Sequence, residues 1–169
     1  MGERRESDVK SPRGRTQVER TSDCEIVITR TFDAPARIVF EAWTQSELMK
    51  QWWVPKSMGM ELLSCEQDVR VGGAYRFVFR HGASGTMAFH GKYLEVVPPS
   101  RLVWTNEESA DGAVTTVTFE ENDGKTLLVM HERYPSKEAF EASAGAADGL
   151  SESFDQLDEL LVTRAPSRQ

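Results

Sequence analysis

The chain has 169 residues, of which 39% are hydrophobic and 28% charged, and its 20 basic and 27 acidic side chains leave a net charge of −7. This length predicts one domain, and no apolar run approaches the ~20 residues that span a bilayer, so we expect no membrane insertion. The acidic balance argues against a nucleic-acid partner. Since no basic and then apolar leader opens the sequence, we expect a cytoplasmic location.

The charge is divided unevenly along the chain. Residues 1–22 carry six basic and four acidic side chains and very little apolar surface, so we predict a disordered N-terminal arm. Residues 23–165 are expected to form a single domain, followed by a disordered tail over 166–169. The acidic side chains of the domain are concentrated over residues 138–159, which include seven acidic and no basic residues. They form either the solvated face of a helix or a docking face for a basic partner.

The hydrophobic pattern predicts an α+β fold with seven strands. A β-branched, alternating segment over 24–32 indicates the first strand. Two short helices follow, one beginning at Pro35 and a second behind a capping box that starts at Thr44. The pattern then changes to period two, and six further antiparallel strands are predicted over 60–69, 75–79, 87–97, 101–105, 114–119 and 126–133.

The last part of the chain is predicted to be one long helix over about 146–162. Leu150, Phe154, Leu157 and Leu161 share one face at helical spacing. A stripe of this length needs a large apolar surface to cover it. We therefore expect a curved antiparallel sheet wrapped around the C-terminal helix.

Five segments occur in an order that is characteristic of one protein family. They are RTFDAPARIVFEAWT, QWWVP, DVRVGGAYRF, FHGKYLEVVPPSRLVWT and YPSKEAFEASAGAADGLSESFDQLDELL. Together they resemble the homologues of the activator of the heat-shock-protein-90 ATPase, within the START-like, pollen-allergen-like (SRPBCC) superfamily. The resemblance spans about residues 24–162 and implies a helix-grip fold with a cavity between the long helix and the sheet. It also implies binding of hydrophobic small molecules, and related families include lipid carriers, polyketide cyclases and aromatases.

The candidate site residues come from the presumed cavity side of the strands and of the last helix. The apolar candidates are Tyr75, Phe77, Phe79, Phe89, Tyr93, Trp104, Leu150, Phe154 and Leu157. Two interpretations stay open for the strand aromatics, because they can line a ligand cavity or simply fill the core. The tryptophans of the QWWVP segment are expected to pack, closing one end of the grip, with gating of the cavity as the alternative.

Glu132 is the one carboxylate among the candidates. It shares strand parity with Leu128 and Met130, and a carboxyl group that points inward there is a reasonable general acid or base. The alternative is a solvated side chain or one paired with arginine. His90 and His131 fall on the opposite strand face by simple alternation.

No pattern in the sequence indicates a cofactor. The three histidines lack metal-ligand spacing, no CxxC or phosphate-binding loop occurs, and Cys24 and Cys65 are expected to be half-buried strand residues. Three functions therefore remain: binding of a small hydrophobic or aromatic molecule, a co-chaperone-like interaction with the 90-kilodalton heat-shock chaperone, and a cyclase or hydrolase that uses Glu132 or Tyr75. The first is favoured, an enzyme is disfavoured because no catalytic constellation is evident, and the oligomeric state is left open.

Overall fold

The computed structural model describes residues 16–82, 85–107, 112–142 and 146–164, and the side chains of 146–149 are not part of that description. The strands are β1 Gln17–Ser22, β2 Glu25–Phe32, β3 Met60–Gln67, β4 Ala74–His81, β5 Thr86–Val97, β6 Arg101–Thr105, β7 Val114–Asn122 and β8 Lys125–Arg133. The helices are α1 Ala36–Thr44, α2 Ser46–Met49, a 3₁₀ turn Lys56–Met58, α3 Lys137–Ala142 and α4 Ala146–Arg164. The fold is thus α+β, as predicted.

One antiparallel sheet contains the eight strands in the order β1-β2-β8-β7-β6-β5-β4-β3. One face of this sheet, here called the inner face, carries the buried alternate residues of the central strands, including Phe77, Val117, Met130 and Ile28. The helices α1, α2 and α4 contribute the other half of the core. The opposite face is called the outer face.

The prediction of seven strands is wrong, because the sheet has an eighth strand, β1. It lies within the segment 1–22 that the sequence predicts to be a disordered arm, and it pairs with β2 through registers such as Val18 opposite Ile28. All six residues of β1 are exposed, so main-chain hydrogen bonds hold this edge strand and hydrophobic patterning does not mark it. The rest of the predicted arm, 1–15, and the predicted tail, 166–169, lie outside the described residues.

The two short helices between the first predicted strand and β3 are present, but the predicted capping box is not. The Thr44 hydroxyl donates to the Phe40 carbonyl at 2.9 Å instead of capping α2. Gln45 occupies the N-cap position of α2 and makes no side-chain capping bond. The 3₁₀ turn and α3 were not predicted, since each is shorter than two turns and shows no clear apolar period.

The helix α4 is held on the inner face by its apolar stripe and by a buried ion pair. Phe154, Leu157 and Leu161 are fully buried. Arg30 of β2 donates to the Asp158 carboxylate at 2.5 Å and to Asp155 at 2.8 Å, and both Arg30 and Asp158 are only 4% exposed. Two carboxylates of this helix, a buried one and an exposed one, are therefore paired with Arg30. Among the described helices, none combines the length and the apolarity needed to cross a bilayer.

Candidate functional site

Tryptophan side chains from the α1–α2 region form the centre of the inner core. The Trp43 ring lies 4.8 Å from Trp52, 5.8 Å from Trp104 on β6 and 6.2 Å from Phe154 on α4, measured between centroids. The Trp52 indole donates to the Ala42 carbonyl at 3.0 Å and so caps the last turn of α1. The Trp43 indole nitrogen is buried and has no acceptor among the described residues. These rings join the sheet to the helices.

Most of the predicted cavity-lining residues are closely packed. This group has at most 7% of its surface accessible and consists of Tyr75, Phe77, Phe79, Tyr93, Trp104, Phe154 and Leu157. All seven belong to the buried apolar cluster between the sheet and the helices. Their role in lining a ligand site stays a prediction.

Three of the predicted site residues, Phe89, Glu132 and Leu150, keep an intermediate accessible surface. Phe89 stacks on Phe79 with centroids 4.6 Å apart and an angle of 15° between the rings. Its ring is also nearly perpendicular to that of Trp53, with centroids 6.2 Å apart, and Trp53 is itself only half-buried. The inner face thus retains accessible aromatic surface beside the packed core.

The segment that contains Trp53 is tied to α4. The Ser153 hydroxyl donates to the Trp53 carbonyl at 2.8 Å, and the Gln156 amide donates to the Trp52 and Val54 carbonyls at 3.0 and 2.8 Å. The QWWVP segment therefore closes the core against the helix, as expected for its packing role. Trp53 is half-buried and is not among the lining residues that the sequence predicts.

A chain of polar side chains crosses one end of the inner face and is here called the polar row. Its members are Tyr75, Asn106, Thr115, Glu132 and Tyr134. The Asn106 amide donates to the Thr115 hydroxyl at 2.9 Å, and Thr115 in turn lies 3.5 Å from a Glu132 carboxylate oxygen. The Tyr134 hydroxyl donates to the other Glu132 oxygen at 3.1 Å, and the Tyr75 hydroxyl lies 3.4 Å from the Asn106 side-chain oxygen. Sequence reasoning had selected only Tyr75 and Glu132 from this network.

Glu132 lies on the inner face, in line with Met130 and Leu128. The sheet register places it opposite Thr115 on β7 and opposite Ile26 on β2. Both Glu132 and Ile26 are half-buried, whereas Thr115 is 1% exposed. Two of the groups that contact the carboxylate are the hydroxyls of Thr115 and Tyr134.

Two of the histidines, His90 and His131, lie on the face of the sheet opposite to Glu132. His131 alternates with Met130 and Glu132 and lies on the outer face, with its ring nitrogen 3.9 Å from Glu25. His90 also lies on the outer face, because its neighbour Phe89 pairs with Phe77 on the inner one. The Tyr75 hydroxyl donates to the Thr105 carbonyl at 2.7 Å and is separated from Glu132 by two members of the polar row.

Burial suppresses the ionisation of two side chains near the inner core, Tyr93 and Cys65. It raises the pKa of Tyr93 to about 12, although the Gln67 amide donates to its hydroxyl at 3.0 Å. It likewise raises the pKa of the Cys65 thiol to about 11, so this thiol is protonated at neutral pH and is a weak nucleophile. Within the described part of the chain, no group of three His, Cys, Asp or Glu side chains is placed to hold a metal ion.

Gly91 allows the backbone of β5 to approach the residues that end β6. A Cβ atom at this position would lie 2.0 Å from the Thr105 carbonyl oxygen, which is the acceptor of the Tyr75 hydroxyl. The position opposite Gly91 in β4 is Tyr75 itself. Because residue 91 is glycine, the Thr105 carbonyl can lie where the Tyr75 hydroxyl, at one end of the polar row, donates to it.

The fold recurs in solved structures of bacterial proteins. A protein from Rhodobacter sphaeroides matches with a TM-score of 0.80 and 24% identity over 88% of this chain and 98% of its own. A Nitrosomonas europaea protein matches with a TM-score of 0.77 and 22% identity over 85% of this chain and 97% of its own. A Chromobacterium violaceum protein matches with a TM-score of 0.69 and 28% identity over 82% of this chain and 97% of its own. A comparison with curated proteins gave no match. The family model described as "Activator of Hsp90 ATPase homolog 1-like protein" matches residues 33–162, and the chain belongs to that family.

Proposed function

We propose that the protein binds a small, largely apolar molecule, aromatic or aliphatic, between the inner face of the sheet and α4. The observation that supports this best is the half-buried pair Phe89 and Trp53, which leaves aromatic surface accessible beside a core of nearly closed packing. Ligand sites in proteins are mostly apolar surfaces with a few polar groups that fix orientation. The polar row supplies such groups on the same face. Proteins of this family commonly bind ligands in a cavity, which favours the same conclusion.

Docking of a basic partner, including a chaperone, has less support. This hypothesis rests on the family resemblance and on the acidic face of α4. Asp155 and Asp158 are bound to Arg30, and Glu152 accepts hydrogen bonds from the backbone and the hydroxyl of Ser57. These carboxylates help to hold α4 in place, and a basic partner that bound them would have to displace Arg30 or Ser57.

The proposal is tested by thermal unfolding in the presence of small aromatic probes such as 2-methylnaphthalene. A ligand present at a hundred times its dissociation constant stabilises the folded state by about 2.7 kcal/mol, which for a chain of this size raises Tm by roughly 5–10 °C. Phe89→Arg places a charge on the accessible aromatic surface and is expected to abolish the shift. Leu127→Arg, on an exposed position of the outer face, is the matched control and should retain it.

Two results contradict the proposal. One is a panel of apolar probes that leaves Tm of the unsubstituted protein unchanged. The other is a Tm shift that survives Phe89→Arg as fully as it survives the control substitution, because the probe then binds elsewhere. Melting each variant without ligand shows whether it is folded before the comparison is made.

A further inference from the structure

We propose that the molecule bound at the Phe89 and Trp53 surface carries a hydrogen-bond acceptor, a carbonyl or ether oxygen, and that an indole N–H of the pair Trp43 and Trp53 donates to it. The inference rests on the proposed ligand site and adds the chemical class of the polar group of the ligand. It depends on which indole groups are bonded, where the unbonded ones lie, and which acceptors near them are already used.

The tryptophans of the inner core differ in whether their indole N–H groups are bonded. The Trp52 indole donates to the Ala42 carbonyl at 3.0 Å. The Trp43 indole nitrogen is buried and, like that of Trp53, has no acceptor among the described residues. An indole nitrogen donates and does not accept, and a buried donor without a partner is costly. An acceptor oxygen brought by a ligand would remove that cost.

The two unbonded donors lie side by side at the accessible part of the core. The centroids of the Trp43 and Trp53 rings are 5.8 Å apart, and the Trp53 ring lies 6.2 Å from the half-buried Phe89. The other described rings that contact Trp43 are at most 7% exposed and belong to Trp52, Trp104, Phe119 and Phe154. A ligand on Phe89 and Trp53 therefore contacts one of the two indoles directly and is separated from the other by a single ring.

Main-chain acceptors of the same segment are already engaged by α4. The Ser153 hydroxyl donates to the Trp53 carbonyl at 2.8 Å, and the Gln156 amide donates to the Trp52 and Val54 carbonyls at 3.0 and 2.8 Å. The described rings that contact Trp53 have no acceptor atom and belong to Trp43, Trp52, Phe77 and Phe89. The surface thus offers unused donors, which complement a ligand with an acceptor and not a ligand that only donates.

The test compares three probes that share a naphthalene body. They are the ketone 2-acetylnaphthalene, the hydrocarbon 2-isopropenylnaphthalene, in which a CH2 group replaces the ketone oxygen, and the amine 2-naphthylmethylamine, which is protonated and only donates. Affinities are measured by titration calorimetry on the full chain. A neutral hydrogen bond corresponds to roughly two- to tenfold in affinity, so we expect the ketone to bind about fivefold more tightly than the hydrocarbon. The amine leaves the indole donors unbonded and should bind more weakly than the ketone.

Three variants identify the donor. Trp53→Phe and Trp43→Phe each keep an aromatic ring and remove an indole N–H, and the preference for the ketone over the hydrocarbon should be lost in at least one of them. Trp52→Phe is the matched control, because its N–H is already bonded to the Ala42 carbonyl, and it should keep the preference.

Three results overturn the inference while the hydrocarbon still binds and the proposed ligand site stands. The ketone has no advantage over the hydrocarbon, or its advantage survives both Trp53→Phe and Trp43→Phe, or the amine binds as tightly as the ketone. If none of the three probes binds, the site and the inference are overturned together.

A measurement on the unsubstituted protein covers the case in which a variant does not fold. Each of the four tryptophans gives one indole N–H signal in a ¹⁵N-labelled sample, and a hydrogen bond to a carbonyl shifts the proton of that signal downfield. We expect the ketone complex to show such a shift for Trp43 or Trp53 relative to the hydrocarbon complex, in which the aromatic body is the same. Identical indole signals in the two complexes, or a shift confined to Trp52 or Trp104, overturn the inference.

Discussion

The buried ion pair between Arg30 and Asp158 predicts a large and non-additive effect on stability. The two charged groups are 2.5 Å apart and both side chains are almost inaccessible. Arg30→Met removes the Arg30 guanidinium from the buried Asp158 carboxylate, and breaking a buried pair in this way costs about 3–5 kcal/mol. Asp158→Leu should cost less, about 2 kcal/mol, because Arg30 then keeps Asp155, which is 66% exposed, at 2.8 Å.

The double variant Arg30→Met/Asp158→Leu replaces the pair by apolar side chains of similar volume. We expect it to lie within about 1–2 kcal/mol of the unsubstituted protein, since such replacements are often neutral. Urea unfolding followed by tryptophan fluorescence measures all four free energies of unfolding. The surface pair of Arg101 and Glu95, 2.8 Å apart and half-exposed, is the comparison, with an expected coupling below about 1 kcal/mol.

The reasoning is refuted by either of two results. If the double variant is destabilised by the sum of the single effects, the two residues act independently and the pair is not a unit. If Arg30→Met costs less than about 1 kcal/mol, the carboxylate is solvated in the variant and the burial argument does not hold.

Three further predictions concern single positions. Trp52→Phe should destabilise the fold by about 1 kcal/mol more than Trp43→Phe. Both substitutions remove the same buried volume, but only Trp52→Phe also removes a hydrogen bond, the one to the Ala42 carbonyl at the end of α1. Equal free energies of destabilisation in urea unfolding would contradict this. Gly91→Ala should cost about 2 kcal/mol or more, since its Cβ would overlap the Thr105 carbonyl, and a variant as stable as the parent would show that the close approach is not required. Burial raises the pKa of Cys65 from 9.0 to about 11, so the folded state keeps this proton at pH values where the unfolded state loses it. The Cys65 contribution to the free energy of unfolding is therefore fully present below pH 9.0 and is lost as the pH rises toward 11. Cys65→Ser should flatten this pH dependence in urea unfolding, whereas an identical slope would exclude Cys65 as its cause.

The sequence predicts the elements that bury one face, because burial requires apolar residues at a regular spacing. Alternation over the central strands and the stripe from Leu150 to Leu161 are direct consequences of covering one face, and both are visible in the sequence. The strand β1 is exposed at every position and pairs with β2 through backbone bonds, so no alternation of apolar residues marks it. The helix α3, with six residues, is too short to show a period.

The candidate site was predictable in part for the same reason. Alternation assigned Phe89 and Glu132 to one face, and the register places both on the inner face. Alternation does not distinguish a packed residue from an accessible one, because that depends on how far Trp43 and its neighbours fill the space under the sheet. Asn106 and Tyr134 follow the ends of strands, where polar residues are typical of turns, and only the register of the sheet brings them together.

The buried ion pair lies far along the sheet from the proposed ligand surface. Arg30 belongs to β2 and Phe89 to β5, and the strands β8, β7 and β6 lie between them. We therefore expect a ligand to bind at Phe89 and Trp53 without rupture of the ion pair between Arg30 and Asp158.

This expectation separates ligand binding from the stability carried by Arg30 and Asp158. The folded double variant Arg30→Met/Asp158→Leu should bind 2-methylnaphthalene within about twofold of the unsubstituted protein, because sites that share no contacts contribute additively. Titration calorimetry on both proteins, at a temperature where each is fully folded, measures this directly. A loss of about tenfold or more would mean that the helix must shift along its whole length to admit a ligand, since the ion pair then contributes to the bound state.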